Sequence, residues 1–258
     1  ITRTLPIVRP LLESGVPNFL SLACGTKVVG MSVIIERVGF APNYVNYTES
    51  LDEQRRIHAE VAERTRNNTI LLLEHEAVIT AGKRTEDHEY PTNKTTPVVK
   101  IDRGGKLTWH GPGQLTGYPI VRLPEPIDVV AYVRLLEEII MNVLAEFGIK
   151  GERVEGRSGV WVLGDEHTPD QKIAAIGIRV SKNTAMHGFA INCCNETAPF
   201  MQFIPCGITD AGVTTMSEQL GRTVTPAEIL EPLERELTRY ADRLAESFEP
   251  SPSAQAAV

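Results

Sequence analysis

Cys206 is the residue of this chain best suited to nucleophilic chemistry. It lies in the sequence FIPCGI, where Pro205 restricts the backbone before the thiol and Gly207 frees it afterwards. Such a turn can present a thiol to a pocket. A free cysteine is more often a small buried hydrophobic residue than a nucleophile, so Cys206 needs a partner that stabilises its thiolate.

Three side chains could be that partner: Lys172, His110 and His187. Lys172 opens the run KIAAIGIRV, which is apolar enough for an inner strand, and a lysine at such a boundary usually extends to solvent. If it points into a pocket instead, its ammonium group favours the thiolate and can pass protons in both directions. A cysteine with a lysine is then a workable pair for acyl transfer. The residues alone leave the choice of partner open.

The stretch RGGKLTWHGPGQ, residues 103–114, predicts a ligand site. Gly104 and Gly105 allow close backbone approach, and successive N–H groups in such a turn form a concavity for an oxyanion or a carbonyl. Residues 106–109 alternate like a short strand, and a second glycine turn follows. An ordinary hairpin is the alternative, but Arg103, His110 and Gln114 flank the segment and favour a site.

The rest of the chain predicts the elements that must position these residues. Runs of β-branched and apolar residues predict strands at 32–37, 69–73, 98–102, 106–109, 118–123, 159–163, 172–180 and 185–193. Helices are expected from a capping box at Ser50 to near Arg66, from Asp128 to Gly148, and from Thr225 towards Phe248.

Composition narrows the function classes. The chain has 258 residues and a net charge of −7, which argues against general nucleic-acid binding. Its four cysteines show no CxxC spacing and fit a reducing cytosol. A metal site at Cys193, Cys194 and His187 is disfavoured, because vicinal cysteines rarely chelate one ion well. We find no apolar run long enough to span a bilayer and expect no membrane association.

No linker divides the chain, and we expect three segments. Residues 1–30 are interpreted as an extension, expected to be disordered, with Met31 as a plausible start. Residues 31–248 form the catalytic domain, and residues 249–258 form a flexible tail.

The motif set RGGKLTWHGPGQ, GRSGVWV, KIAAIG, HGFAIN and IPCGI resembles that of the octanoyl (lipoyl) transferase family, the protein N-octanoyltransferases of lipoate assembly. The motifs occur in the family's order and approximate spacing, and the match runs from about Val33 to Arg222.

The resemblance implies a fold, an activity and a set of site residues. The fold is that of biotin and lipoate protein ligases, a single α/β domain whose mixed sheet is flanked by helices. Cys206 corresponds to the nucleophile that carries the acyl group as a thioester, and Lys172 to the lysine that lowers the pKa of that thiol. The substrate-binding walls correspond to Arg103, Gly104, Gly105, Lys106, Leu107, Thr108, Trp109, His110, Ala175, Ile176, Gly177, Gly188, Phe189 and Ala190.

The resemblance also implies the partners. The octanoyl group is expected to come from acyl carrier protein and to pass to a lysine on lipoyl domains of 2-oxoacid dehydrogenase complexes or on the glycine cleavage H protein, with no metal and no other cofactor. Because such partners are acidic, we expect a local basic rim of Lys83, Arg84, Arg103, Lys106, Arg157, Arg179 and Lys182. The alternatives are an ATP-dependent lipoate or biotin ligase and a non-catalytic acyl-binding module.

Overall fold

The computed structural model describes residues 25–29, 33–91, 95–202 and 211–249. Runs of strands are separated by the single helices α1 and α2, and three helices follow the last strand. The strands are β1 (Gly25–Val29), β2 (Val33–Gly39), β3 (Asn68–Leu73), β4 (Val78–Ala81), β5 (Val98–Lys100), β6 (Leu107–His110), β7 (Gln114–Ile120), β8 (Glu152–Val154), β9 (Arg157–Val162), β10 (Gln171–Ser181), β11 (Thr184–Asn192) and β12 (Gly212–Val213). The helices are α1 (Tyr47–Ala62), α2 (Val129–Glu146), α3 (Met216–Leu220), α4 (Pro226–Arg239) and α5 (Ala241–Leu244).

A large mixed sheet forms the centre of the molecule. Its strand order is β1-β2-β3-β7-β11-β10-β9-β8, and β12 pairs with the start of β10 on the edge opposite β9. The pairs β2–β3 and β10–β12 are parallel, whereas the other pairs are antiparallel. The strands β3, β7 and β11 lie inside the sheet and are buried along their whole length.

Helices cover both faces of this sheet. The helix α2 packs on β9 and β10 and is backed by α4, whereas α1 packs on β3, β7 and β11. Alternate residues of β3 divide between the two cores, with Ile70 and Leu72 facing α2 and Leu71 and Leu73 facing α1. This alternation follows from the period of two in a strand, and it explains why the run TILLL is apolar throughout.

A second sheet with the order β5-β4-β6 lies on the α1 side of the large sheet. Its contacts include a cluster that joins Tyr47 and Leu51 of α1 with Val78 of β4, Ile101 and Met186 of β11. The loop between β5 and β6 is hydrogen-bonded to the large sheet, since Gly104 N donates to Ile178 O at 3.0 Å. The two sheets thus hold the glycine loop against β10.

The fold class predicted from the sequence is confirmed: the chain forms one α/β domain with a mixed sheet between helices. The strands β3, β10 and β11 and the helix α2 lie close to their expected bounds, with Asp128 as the cap of α2 and Gly148 at φ +79° just beyond its end. The strand expected at 118–123 instead runs Gln114–Ile120, and the buried strand β4 was not predicted.

The start of α1 was predicted wrongly. The helix begins at Tyr47, because the side chain of Asn46 accepts hydrogen bonds from Thr48 N and Glu49 N. Ser50, the expected cap, lies inside the helix, where its hydroxyl is buried and has no hydrogen-bond partner among the described residues. Its presumed partner in the box, Glu53, pairs with Arg56 instead.

Two boundaries near the termini also differ from expectation. Disorder was predicted for residues 1–30, but Gly25–Val29 pair with β2, and this pairing satisfies backbone groups of both strands. The last long helix was expected to reach Phe248, but α4 ends at Arg239. The chain then turns to the sheet, where Glu246 N donates to Arg122 O and its carboxylate pairs with Arg64 and Arg122. The tail from residue 250 onwards lies outside the described residues.

The two candidate caps of α1 can be separated by substitution. We expect Asn46→Ala to lower the free energy of unfolding by about 1 kcal/mol, because two N–H groups lose their acceptor. Ser50→Ala should be neutral or stabilising, because it removes an unpaired buried hydroxyl. Urea unfolding of both variants measures the difference, and a Ser50→Ala loss equal to that of Asn46→Ala would contradict this assignment.

Candidate active site

A cavity of about 220 Å³ lies between the two sheets. Its floor is formed by β10 and β11, and the glycine loop after β5 covers one side. Its lining residues are Tyr47, Arg84, Arg103, Gly104, Gly105, Lys106, Thr108, His110, Tyr118, Gly156, Arg157, Ser158, Lys172, Ala175, Ile176, Gly177, His187, Gly188, Phe189 and Ala190. Three stretches that are far apart in the sequence, 103–110, 172–177 and 187–190, therefore lie around one cavity. Each of them belongs to a motif named in the sequence analysis.

Lys172 reaches this cavity from β10. The residue is 9% exposed, and its ammonium nitrogen lies 4.7 Å from the centre of the Trp161 ring on β9. The register between β9 and β10 shifts between Lys172 and Ala174. Because a bulge inserts one residue into the alternation, it allows Lys172 to share a face with Ala175 and Gly177.

Cys206, the candidate nucleophile, lies outside the described residues, within 203–210. The described chain on both sides of that range is attached to the site. Phe200 packs edge-on against Trp109 at 5.6 Å between ring centres, and Val213 pairs with Lys172.

Two of the expected substrate-binding residues do not line the cavity. Leu107 and Trp109 are buried in a cluster with Ile79 and Phe200 on the other face of β6. Residues alternate across a strand, so Thr108 and His110 face the cavity while Leu107 and Trp109 turn away. The prediction that the whole segment forms the wall was therefore wrong for these two residues.

Arg103 supports the wall from within. It is 8% exposed, and its guanidinium donates hydrogen bonds to the carbonyl and the hydroxyl of Thr80 and to the carbonyl of Gly104. A Cβ on Gly177 would lie 2.9 Å from Arg103 Cδ. Glycine at 177 thus lets the arginine stem lie against β10.

Several residues of the expected basic rim are buried or paired with carboxylates. Arg103 is buried, Lys106 pairs with Glu89 at 2.6 Å, and Arg179 pairs with Asp102. Lys83, Arg84 and Lys182 are exposed, and Arg157 lies over the ring of Trp161 at 5.7 Å. The sequence could not separate these groups, because it does not show which lysines and arginines have carboxylates or aromatic rings beside them.

Tyr47, His110 and Tyr118 line the cavity, and the ring of His75 lies beside all three. His75 Nδ1 lies 2.9 Å from Val45 O, which can only accept, so this nitrogen carries the proton and Nε2 accepts from the Tyr118 hydroxyl at 2.7 Å. Burial lowers the pKa of His75 to about 4. Both ring nitrogens of His75 are thus engaged in hydrogen bonds within the fold.

His110 is held in the same way. The Gln114 amide nitrogen donates to Trp109 O and to Asn192 Oδ1, so its oxygen accepts from His110 Nδ1 at 2.8 Å. Burial lowers the pKa of His110 to about 3, and the neighbouring His75 contributes. His110 is therefore a neutral residue in the wall, with Nε2 as a hydrogen-bond acceptor.

His187 is paired with Asp102, to which its Nε2 donates at 2.9 Å. Burial lowers the pKa of His187 to about 4 although the carboxylate opposes this shift, and its Nδ1 is buried without a partner among the described residues. Its φ of +59° is rare for a residue with a side chain. Neither His110 nor His187 is protonated near neutral pH, which leaves Lys172 as the cationic candidate of the three.

Several lining residues were missed by the sequence analysis. Tyr47 and Tyr118 come from α1 and β7, and Gly156, Arg157 and Ser158 precede the core of β9. The motif GRSGVWV contained the signal for the last three. Nothing in the sequence indicated that the start of α1 would reach the cavity.

Cys193 and Cys194 do not form a ligand cluster with His187. The thiol of Cys193 is fully buried and donates to Ile191 O, and burial raises its pKa strongly. Within residues 33–91, 95–202 and 211–249, no three histidine, cysteine or carboxylate side chains come together as a metal site.

Comparison with known proteins assigns the chain to a family. Residues 46–238 match the lipoyl protein ligase A/B catalytic domain. An octanoyltransferase of Renibacterium salmoninarum is 56% identical over 200 residues, which cover 78% of this chain and 85% of that protein. The chain belongs to the octanoyltransferase family. A second octanoyltransferase, from an Arthrobacter species, is 52% identical over 219 residues, which cover 85% of this chain and 98% of that protein.

Solved structures support the fold of this octanoyltransferase family member. A lipoate-protein ligase A bound with ATP superimposes with a TM-score of 0.58 at 13% identity, covering 87% of this chain and 91% of that one. The bi-partite lipoate protein ligase of Thermoplasma acidophilum gives a TM-score of 0.60 at 12% identity, covering 89% and 90%. Among the described residues, no helix is both long and apolar enough to cross a membrane.

The buried histidines predict a pH dependence of stability. In the unfolded chain a histidine binds a proton below about pH 6.5, whereas His110 resists protonation down to about pH 3. The unfolded state therefore binds more protons in this window, and stability falls as the pH is lowered from 6.5, by about 1.4 kcal/mol per pH unit for each such histidine.

We expect His110→Gln to reduce that slope by about one proton in urea unfolding between pH 6.5 and 5. His88→Gln is the matched control, because the His88 side chain is 71% exposed. An unchanged slope in His110→Gln would show that the ring is already protonated in the native state.

Proposed function

We propose that the protein transfers an octanoyl group from acyl carrier protein to the ε-amine of a lysine on a lipoyl domain, through a thioester on Cys206. The observation that carries this proposal is the position of Lys172. In a member of the octanoyltransferase family, a lysine that is 9% exposed lines a cavity whose floor on β10 and β11 includes glycines, alanines, Ile176 and Phe189.

The cavity supports an acyl occupant. Ala175, Gly177, Gly188 and Ala190 pair across β10 and β11 and leave a flat floor of small residues. A Cβ on Gly188 would lie 2.2 Å from Gly117 O, so the pairing of β11 with β7 leaves no room for a larger residue at this position. An extended hydrocarbon chain suits such a surface, because its binding free energy comes mainly from apolar area removed from water.

The first step forms the acyl enzyme. The Cys206 thiolate attacks the thioester carbon of octanoyl-acyl carrier protein, and the C–S bond to the phosphopantetheine arm breaks. The ammonium of Lys172 stabilises the thiolate beforehand and gives its proton to the departing sulfur. One thioester replaces another, so no energy source is required.

The second step forms the amide. The ε-amine of the acceptor lysine attacks the octanoyl-Cys206 thioester, the neutral amine of Lys172 takes its proton, and the Cys206 thiolate leaves. Both catalytic groups return to their starting charges. Amide formation from a thioester is downhill, which lets the cycle run without ATP.

The nucleophile can be tested by intact mass spectrometry after incubation with octanoyl-acyl carrier protein. We expect a single octanoyl adduct on the protein, which hydroxylamine removes, and no adduct on Cys206→Ser. Cys194→Ser is the matched control and should retain the adduct, because Cys194 does not line the cavity. An adduct that persists in Cys206→Ser would exclude the mechanism.

Lys172→Met should lower the rate of adduct formation by at least about 100-fold, as expected for loss of a proton-transferring group.

The same assay without and with ATP separates the ligase alternative. Transfer that requires ATP, or heat from ATP binding in titration calorimetry, would favour a ligase.

The mouth of the cavity supports an acidic protein donor. Lys83 and Arg84 are exposed, and Arg84 lines the entrance. Charged residues at a rim act mainly on association and its salt dependence.

We expect Arg84→Glu to lower kcat/KM about fivefold or more with octanoyl-acyl carrier protein at low salt, but less than about twofold with octanoyl-pantetheine. Lys150→Glu serves as the control, because its side chain is 86% exposed and is not part of the cavity. Equal losses with both donors would refute steering by charge.

A further inference from the structure

Trp161 and Lys172 lie next to each other on two neighbouring antiparallel strands. The two residues are register partners between β9 and β10, so their side chains leave the sheet on the same face. The ammonium nitrogen of Lys172 lies 4.7 Å from the centre of the indole ring, and Trp161 is only 1% exposed. This distance is within the range of a cation–π interaction, and exclusion of water strengthens such an interaction.

The hydrogen-bonding capacity of Trp161 does not explain its presence. Its Nε1–H is buried and has no acceptor among the residues that the structure describes. A buried indole usually finds an acceptor, and an unpaired donor destabilises the fold. The ring of the indole instead lies near two cations, with the Lys172 ammonium 4.7 Å and the Arg157 guanidinium 5.7 Å from its centre. Of the two, Lys172 is the closer and the more deeply buried.

The backbone beside Lys172 brings β9 close to β10 at a glycine. Gly159 has φ +109°, and a Cβ there would lie 2.4 Å from Ala174 O and 3.5 Å from Lys172 Cε. The amide of Gly159 donates to the Glu137 carboxylate at 3.1 Å, and Glu137 is fully buried on α2. The close approach of the two strands beside Lys172 is thus fixed from the helix side of the sheet.

We propose that Trp161 is a positioning residue, whose ring face holds the ammonium form of Lys172 at the wall of the cavity. The inference rests on the proposed role of Lys172 in proton transfer. While Lys172 is charged, the ring attracts it. Once Lys172 has given its proton to the departing sulfur, that electrostatic attraction disappears, and the neutral amine is released to meet the incoming acceptor amine.

Fluorinated tryptophans test the ring face without changing its shape. Each fluorine withdraws electron density from the indole and weakens its attraction for a cation. With mono-, di- and trifluorotryptophan placed at position 161 alone, we expect the logarithm of the rate of acyl-enzyme formation to fall linearly with the number of fluorines, by about twofold to threefold for each. A rate that does not depend on fluorination would overturn the proposal.

Substitutions by natural amino acids at position 161 test the role of the ring independently. Trp161→Phe keeps an aromatic face and should retain kcat within about threefold, whereas Trp161→Leu should lose about tenfold or more in kcat with little change in KM. Val160→Ala is the matched control, because Val160 is buried in the core on the same strand and does not line the cavity. Equal losses in the phenylalanine and leucine variants, or a loss in Val160→Ala as large as in Trp161→Leu, would refute positioning by the ring.

The failure of this inference can be distinguished from that of the proposed function. If Lys172→Met forms the acyl enzyme at the normal rate, the assigned role of Lys172 is wrong. If Lys172→Met is inactive while the fluorinated proteins react at the normal rate, the role of Lys172 stands and only the role of Trp161 is wrong.

Discussion

The attachment of the small sheet to β10 is the constraint on which the rest of the site depends. Arg103 is buried between the sheets, where its guanidinium donates to oxygens of Thr80 and Gly104, and Gly104 N donates to Ile178 O. A buried guanidinium without such acceptors would cost several kcal/mol. Because the small sheet supplies these acceptors, one arginine orients the glycine loop, and the loop in turn defines the cavity above the floor of β10 and β11.

Much of this architecture could be predicted from the sequence, because local pattern and burial agree in it. The run TILLL is apolar at every position, and the structure places it inside the sheet with a hydrophobic core on either side. The helix α2 combines a cap at Asp128 with an apolar stripe and a terminal glycine. In these elements the intrinsic preference and the tertiary environment favour the same state.

Two of the incorrect predictions concern the start of α1 and the side chains of β6. SLDE satisfies the pattern of a capping box, but Asn46 lies one turn earlier and caps the helix first. The alternation of residues 106–109 was recognised, yet all of them were assigned to one wall. Adjacent side chains of a regular strand point to opposite faces, so Leu107 and Trp109 should have been expected on the face of β6 opposite Thr108 and His110.

The candidate site illustrates the difference between residue type and residue environment. Cys206 and Lys172 stand out by chemistry and by motif, and the cavity residues of β10 and β11 follow from the same motifs. The protonation of the histidines could not be predicted, because it depends on burial and on the acceptors at Val45, Gln114 and Asp102. Three rings that could have served as cations are held neutral by their surroundings.

The contact between Trp109 and Phe200 has a consequence for how relatives of this protein diverge. The indole of Trp109 packs against Phe200 on the face of β6 that points away from the cavity. Its size is therefore matched to Phe200 and not to a ligand in the cavity. Positions 109 and 200 should therefore change together during evolution, in step with each other's volume. A difference at position 109 between two family members carries no information about the acyl groups that they accept.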